Sequence, residues 1–250
     1  MGNKSEFLLV SHGQLPKQVL AIDMGFGEKS QGIGIAWGDS RCGVKHDSRT
    51  YTYEQGLKKA VELLQTAFKT NASLGLILEA PLSMAFTHSP NSETYGNPTP
   101  RVGISVSSTN KLERRCIEKK HRWYQNNGSS VLVASAIFLK QIMRTLSQEK
   151  RKQTPSRIYL YEAFVQKKNP QSSNRHLEEA VAIATSFLKG QKWKNETTLG
   201  YSTSWWDISP SAEGGRIHSL LEVFRIDGSK ANTKVPRVLL LEHKARHFPE

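Results

Sequence analysis

Residues 19–37 read Val-Leu-Ala-Ile-Asp-Met-Gly-Phe-Gly-Glu-Lys-Ser-Gln-Gly-Ile-Gly-Ile-Ala-Trp, and the rest of the chain is organised around them. Val19 to Ile22 is a short apolar run that ends on Asp23. Gly25 and Gly27 follow at once, and Ile33, Ile35 and Trp37 then alternate with smaller residues. The pattern predicts a buried strand, a tight turn and an antiparallel partner. A carboxylate at the end of a core strand is costly to bury unless its charge is compensated. A divalent cation is one such compensation, so the stretch predicts that Asp23 is a metal ligand and that distant segments supply the others. The segment Gly25-Phe26-Gly27-Glu28-Lys29-Ser30 is no P-loop, because Glu28 separates Gly27 from Lys29 and the required spacing fails.

Outward from this stretch, residues 41–53 hold a third strand, with β-prone Thr50, Tyr51, Thr52 and Tyr53. Leu57, Ala60, Val61, Leu64, Ala67 and Phe68 repeat at helical spacing and predict an amphipathic helix over 54–70. A fourth strand runs from Leu74 to Leu78 and closes on Glu79-Ala80-Pro81. Residues 83–108, rich in Ser, Thr, Pro, Asn and Gly, read as a long loop. Helices are predicted at 109–127 and 134–149, a fifth strand at 157–162 ending on Glu162, and a helix at 174–189 with Leu177, Val181, Ala184 and Leu188 on one face. Beyond residue 195 come Trp205-Trp206 and two β-like runs, 219–226 and 237–242. The order β-β-β-α-β-α-α-β-α predicts an α/β fold: a three-strand meander, then alternating strands and helices, giving a mixed sheet with helices on both faces. Residues 1–195 are expected to form the main domain and 196–250 a β-rich extension, available to a protein partner.

The 250 residues carry a formal charge of +13, and between Arg101 and Arg175 there are 16 Lys/Arg against 4 Asp/Glu, a net of +12. Such a concentrated field attracts polyanions, of which nucleic acid is the commonest. Lys111, Arg114, Arg115, Lys119 and Arg122 would track a phosphate backbone, and Trp123 or Tyr124 would stack on bases. No run of 18 apolar residues exists and no signal-peptide pattern opens the sequence, so no membrane association is expected. Two cysteines, Cys42 and Cys116, cannot make a disulfide framework or a zinc site on their own. The expected setting is cytoplasmic or nucleoid-associated, not secreted.

Asp23, Glu79 and Glu162 each stand where an apolar strand is predicted to end, and Glu178 and Glu179 open the last core helix. In open α/β sheets ligands gather beyond the carboxyl ends of the strands. Clustered carboxylates suit Mg²⁺ or Mn²⁺, and two such ions about 3.5–4 Å apart can serve phosphodiester hydrolysis. Adjacent helix positions point in different directions, which favours Glu179: it lies three residues after His176 and shares a side with it. His176 would be a ligand or a proton shuttle. Glu178 suits the helix dipole.

Four pieces together resemble the ribonuclease H-like superfamily: Ala-Ile-Asp-Met-Gly-Phe-Gly at 21–27 with its Gly-Ile-Gly-Ile-Ala return, Leu-Ile-Leu-Glu-Ala-Pro-Leu at 76–82, Tyr-Leu-Tyr-Glu-Ala-Phe at 159–164 and His-Leu-Glu-Glu-Ala-Val-Ala-Ile-Ala at 176–184. Within it the chain looks most like the predicted nucleases of the DUF429 group and more distantly like RuvC-type resolvases. The resemblance covers roughly residues 19–190 and implies a ribonuclease H-like nuclease. In that reading Asp23 and Glu79 bridge the ions and Glu162, Glu179 and His176 complete the catalytic site. The chain departs from the pattern in offering Glu179 where Asp is more usual.

These readings lead to a divalent-metal-dependent nuclease that hydrolyses phosphodiester bonds of DNA or RNA. The alternative is a non-catalytic nucleic-acid-binding or scaffold subunit with the same fold.

Overall fold

The computed structural model describes residues 16–27, 30–70, 73–80, 82–87, 99–100, 134–142, 144–146, 158–165, 174–189, 196–198, 201–206, 216–219 and 238–243. The basic helix predicted at 109–127, with Lys111, Arg114, Arg115, Lys119, Arg122, Trp123 and Tyr124, lies outside them.

The apolar run that opens the chain's core is strand β1 (Gln18–Asp23), and after the turn β4 (Gly34–Asp39) returns antiparallel to it. Between them the short strands β2 (Phe26–Gly27) and β3 (Ser30–Gln31) pair as a ribbon. Strand β5 (Gly43–His46) completes the meander. Its hairpin is held by Asp39, whose Oδ1 accepts from the N–H groups of Arg41 (2.7 Å) and Cys42 (2.8 Å). Those bonds lower the Asp39 carboxyl below its ordinary value.

Helix α1 (Tyr53–Lys69) starts with a reciprocal cap: Thr52 Oγ1 accepts from Gln55 N–H and Gln55 Oε1 accepts from Thr52 N–H, both at 3.3 Å. Strands β6 (Leu74–Glu79) and β9 (Ile158–Val165) then run parallel to β1. Between them in sequence lie β7 (Ser83–Thr87), β8 (Thr99–Pro100) and the helical residues 134–142 and 144–146, here α2. Part of the segment read as a loop over 83–108 is thus strand, and β7 pairs with β8 and with β12 (Arg216–Ser219) in a separate three-stranded sheet. Helix α3 (Arg175–Lys189) precedes β10 (Glu196–Thr198), β11 (Tyr201–Trp206) and β13 (Val238–His243).

The result is an α/β fold built on one mixed sheet of eight strands, ordered β10-β11-β13-β9-β6-β1-β4-β5. The C-terminal strands continue this sheet: β13 lies parallel to β9 and antiparallel to β11. Side chains alternate between the two faces. Leu20, Ile22, Leu74, Leu76, Leu78, Ile158 and Leu160 pack against α1 and α2 on one face. Val19, Ala21, Ile77, Tyr161, Ala163 and Val165 pack against Ala180, Ile183, Ala184 and Phe187 of α3 on the other.

Two glycines let α3 lie close on that second face. A Cβ at Gly34 of β4 would sit 2.7 Å from the backbone nitrogen of Leu177 and closer still to the carbonyl of His176. A Cβ at Gly75 of β6 would lie 2.6 Å from the Phe187 ring. The first turn of α3 therefore rests on bare strand backbone, immediately beside Asp23, the register partner of Gly34.

Candidate metal centre

Parallel pairing in register sets Asp23 of β1 beside Glu79 of β6, both at the carboxyl ends of their strands. Both have the side-chain parity of the α3 face, and both are buried. Helix α3 brings its first turn down onto them. His176 and Glu179, three residues apart, both fall on its buried side, while Glu178 between them is exposed, as helical periodicity requires.

One donor atom each from Asp23, His176 and Glu179 lies within 4.8 Å of the others. Asp23 serves two neighbours. Its Oδ1 accepts from Gly25 N–H at 3.1 Å, and its Oδ2 lies 3.0 Å from Nδ1 of His176. The turn-forming role of Asp23 thus coexists with its place in the cluster. Gly25 is held at φ +40°, a backbone conformation that suits glycine, and a Cβ there would collide with the carbonyl oxygen of Gly32 and approach the His176 ring to 3.0 Å.

Burial acts against a charged His176 imidazole. The hydrogen bond to Asp23 and the charges of Asp23, Glu179 and Glu79 outweigh it and raise the pKa above its ordinary 6.5. Glu79 is therefore within electrostatic reach of the group, although its oxygens stand outside the closest set. Its Oε1 accepts, at 3.4 Å, from the N–H of Val165.

Glu162 is placed differently. Strand β9 continues three residues beyond it to Val165, so it is not at the strand end. Its register partner is Leu78, whose side chain is on the α1/α2 face, so Glu162 faces away from Asp23 and Glu79. There its Oε2 accepts from Leu82 N–H at 3.0 Å and anchors the chain as it leaves β6. The expectation that Glu162 joins the other carboxylates is corrected on this geometry: a single residue of register reverses the face.

Arg175 was not among the sequence-derived candidates. Its Nε donates to Glu179 Oε1 at 3.0 Å. The spacing from Arg175 to Glu179 is i,i+4 along the helix, and that alone was the available signal.

The donor set fits a hard or borderline divalent cation. Two donors bound to one small ion are up to about 4.2 Å apart at Mg²⁺ bond lengths of roughly 2.1 Å, and the three donor atoms all lie within 4.8 Å of one another. Carboxylate oxygen suits Mg²⁺ or Mn²⁺ and imidazole suits the more borderline divalent ions, so the mixed set fits a divalent cation without choosing among them.

No protein-family model, no curated protein and no solved structure matches this chain. Among the described residues, no helix is long and apolar enough to cross a membrane.

Proposed function

We propose that the protein is a divalent-metal-dependent nuclease with a ribonuclease H-like core, acting on phosphodiester bonds of DNA or RNA. The observation that carries this reading is the convergence of buried Asp23, His176 and Glu179, with Glu79 in register beside Asp23. The meander of β1, β4 and β5 followed by parallel β6 and β9 is the feature of the α/β fold that supports this reading. The formal charge of +13 supplies the attraction for a polyanion.

In this reading Asp23, His176 and Glu179 would hold a Mg²⁺ or Mn²⁺ ion, and Glu79, in register beside Asp23, would be a further donor if two ions bind. Ions bound there would polarise the phosphodiester and supply an activated water at neutral pH. The chain's own contribution is to fix the donors. Gly25 N–H orients the Asp23 carboxylate, and Asp23 orients the His176 ring, the kind of support that sets ligand geometry at metal sites.

Incubation with labelled DNA and RNA in Mn²⁺ tests the reading, with Asp23→Ala alongside. Divalent-dependent cleavage by the native protein alone is expected, and equal cleavage by both proteins discards the site. A second reading, a non-catalytic binding or scaffold subunit, is favoured by the internal pairing of the same groups, Asp23 with His176 and Arg175 with Glu179. Calorimetry separates the two: a scaffold takes up no Mn²⁺.

A further inference from the structure

The side chain of Arg175 spans the boundary between the buried cluster and solvent: it is 34% exposed, against 1% for its partner Glu179. The contact uses Nε. The two Nη groups make no hydrogen bond or ion pair among the described residues. A guanidinium has five N–H donors in a rigid fork suited to carboxylate and phosphate. Here one donor is engaged on a carboxylate of the cluster and the four Nη–H donors are not, on a side chain that is 34% exposed.

We infer that Arg175 is a phosphate-positioning residue, bridging Glu179 to a non-bridging oxygen of the bound phosphodiester through its Nη groups. The inference rests on the proposed metal-dependent nuclease and names the contact by which that site would orient its substrate. Two consequences follow from the chemistry of the pair. A cation and the Arg175 Nε–H compete for the same Glu179 carboxylate, so Arg175 weakens cation binding. A phosphate approaching the cluster meets a fixed positive fork beside it, so Arg175 strengthens nucleic-acid binding. A residue that merely braced the helix would move both affinities in the same direction, whereas this role moves them in opposite directions.

The test uses the full chain as native protein, Arg175→Gln and Arg175→Lys, each checked for native circular dichroism. Mn²⁺ binding is measured by calorimetry, and binding of labelled DNA and RNA oligonucleotides is measured by anisotropy in Ca²⁺. Arg175→Gln is expected to bind Mn²⁺ about three- to fivefold more tightly, the scale of a half-exposed ion pair. It is expected to bind at least one oligonucleotide roughly tenfold more weakly, with Arg175→Lys recovering only part of that loss because it keeps the charge without the fork. If native protein binds Mn²⁺ and Arg175→Gln binds metal and both oligonucleotides as native does, or loses affinity for both together, the Arg175 assignment is overturned and the metal centre stands. If native protein binds no Mn²⁺, the proposed function itself falls and the assignment falls with it.

Discussion

Replacing Gly34 by alanine tests whether α3 must lie directly on the sheet for the cluster to form. The added Cβ would meet backbone atoms only: the carbonyl of His176 and, at 2.7 Å, the nitrogen of Leu177. Backbone atoms cannot rotate aside as a flexible side chain can. Ordinary contact begins near 3.4 Å and the His176 carbonyl lies closer than the Leu177 nitrogen, so the first turn of α3 must retreat by well over the roughly 0.7 Å that the nitrogen alone would require. Overpacking of this kind costs roughly 1–3 kcal/mol, which for a chain of this size lowers Tm by about 3–10 °C. The same retreat stretches the 3.0 Å contact between Asp23 and His176 and carries Glu179 away with it. Loss of supporting geometry around metal ligands costs on the order of 10–100-fold in affinity, so Mn²⁺ binding should weaken about tenfold or more. Gly75→Ala is the internal control. Its Cβ strikes the Phe187 ring, far along the same helix, and should lower Tm while leaving Mn²⁺ affinity near the native value. Thermal melts and Mn²⁺ calorimetry on the three proteins decide. An unchanged Tm and affinity in Gly34→Ala, or an equal loss of Mn²⁺ affinity in Gly75→Ala, refutes the reasoning.

Three further expectations follow from the geometry. Glu162→Ala removes the buried acceptor for Leu82 N–H and should cost about 1–3 kcal/mol in chemical denaturation, while Mn²⁺ affinity, measured by calorimetry, stays native because the residue faces α1 and α2. The raised pKa of His176 contributes stability that is fully present below the ordinary 6.5 and is lost as pH rises through the higher folded value. In metal-free protein Tm should therefore decline over that window and Asp23→Asn should flatten the decline, while Mn²⁺ affinity climbs as the imidazole proton leaves. Thr52→Ala breaks the reciprocal cap of α1 and should cost about 1 kcal/mol with no effect on Mn²⁺ binding.

The site was legible in part because its residues obey local rules. Asp23 and Glu79 each close an apolar run, and the strands end where those runs end. Helical spacing separated buried Glu179 from exposed Glu178 and placed His176 with it. Glu162 misled because its apolar run does not stop at the carboxylate: Ala163 and Val165 extend β9, and the face is decided by register against Leu78, a long-range quantity. Gly34 was read as part of a β pattern, yet its role depends on a helix that begins some 140 residues later. The insertion of β13 between β9 and β11 is likewise invisible locally, since nothing in Val238–His243 names its neighbours.

That insertion makes the main sheet depend on the chain's far end. A polypeptide terminated before Val238 would present β9 with a naked parallel flank, a template for promiscuous pairing and aggregation. The same vacancy could be repaired in trans. A synthetic peptide spanning Val238–His243 is expected to occupy that flank by strand addition and so reduce the aggregation of the shortened protein.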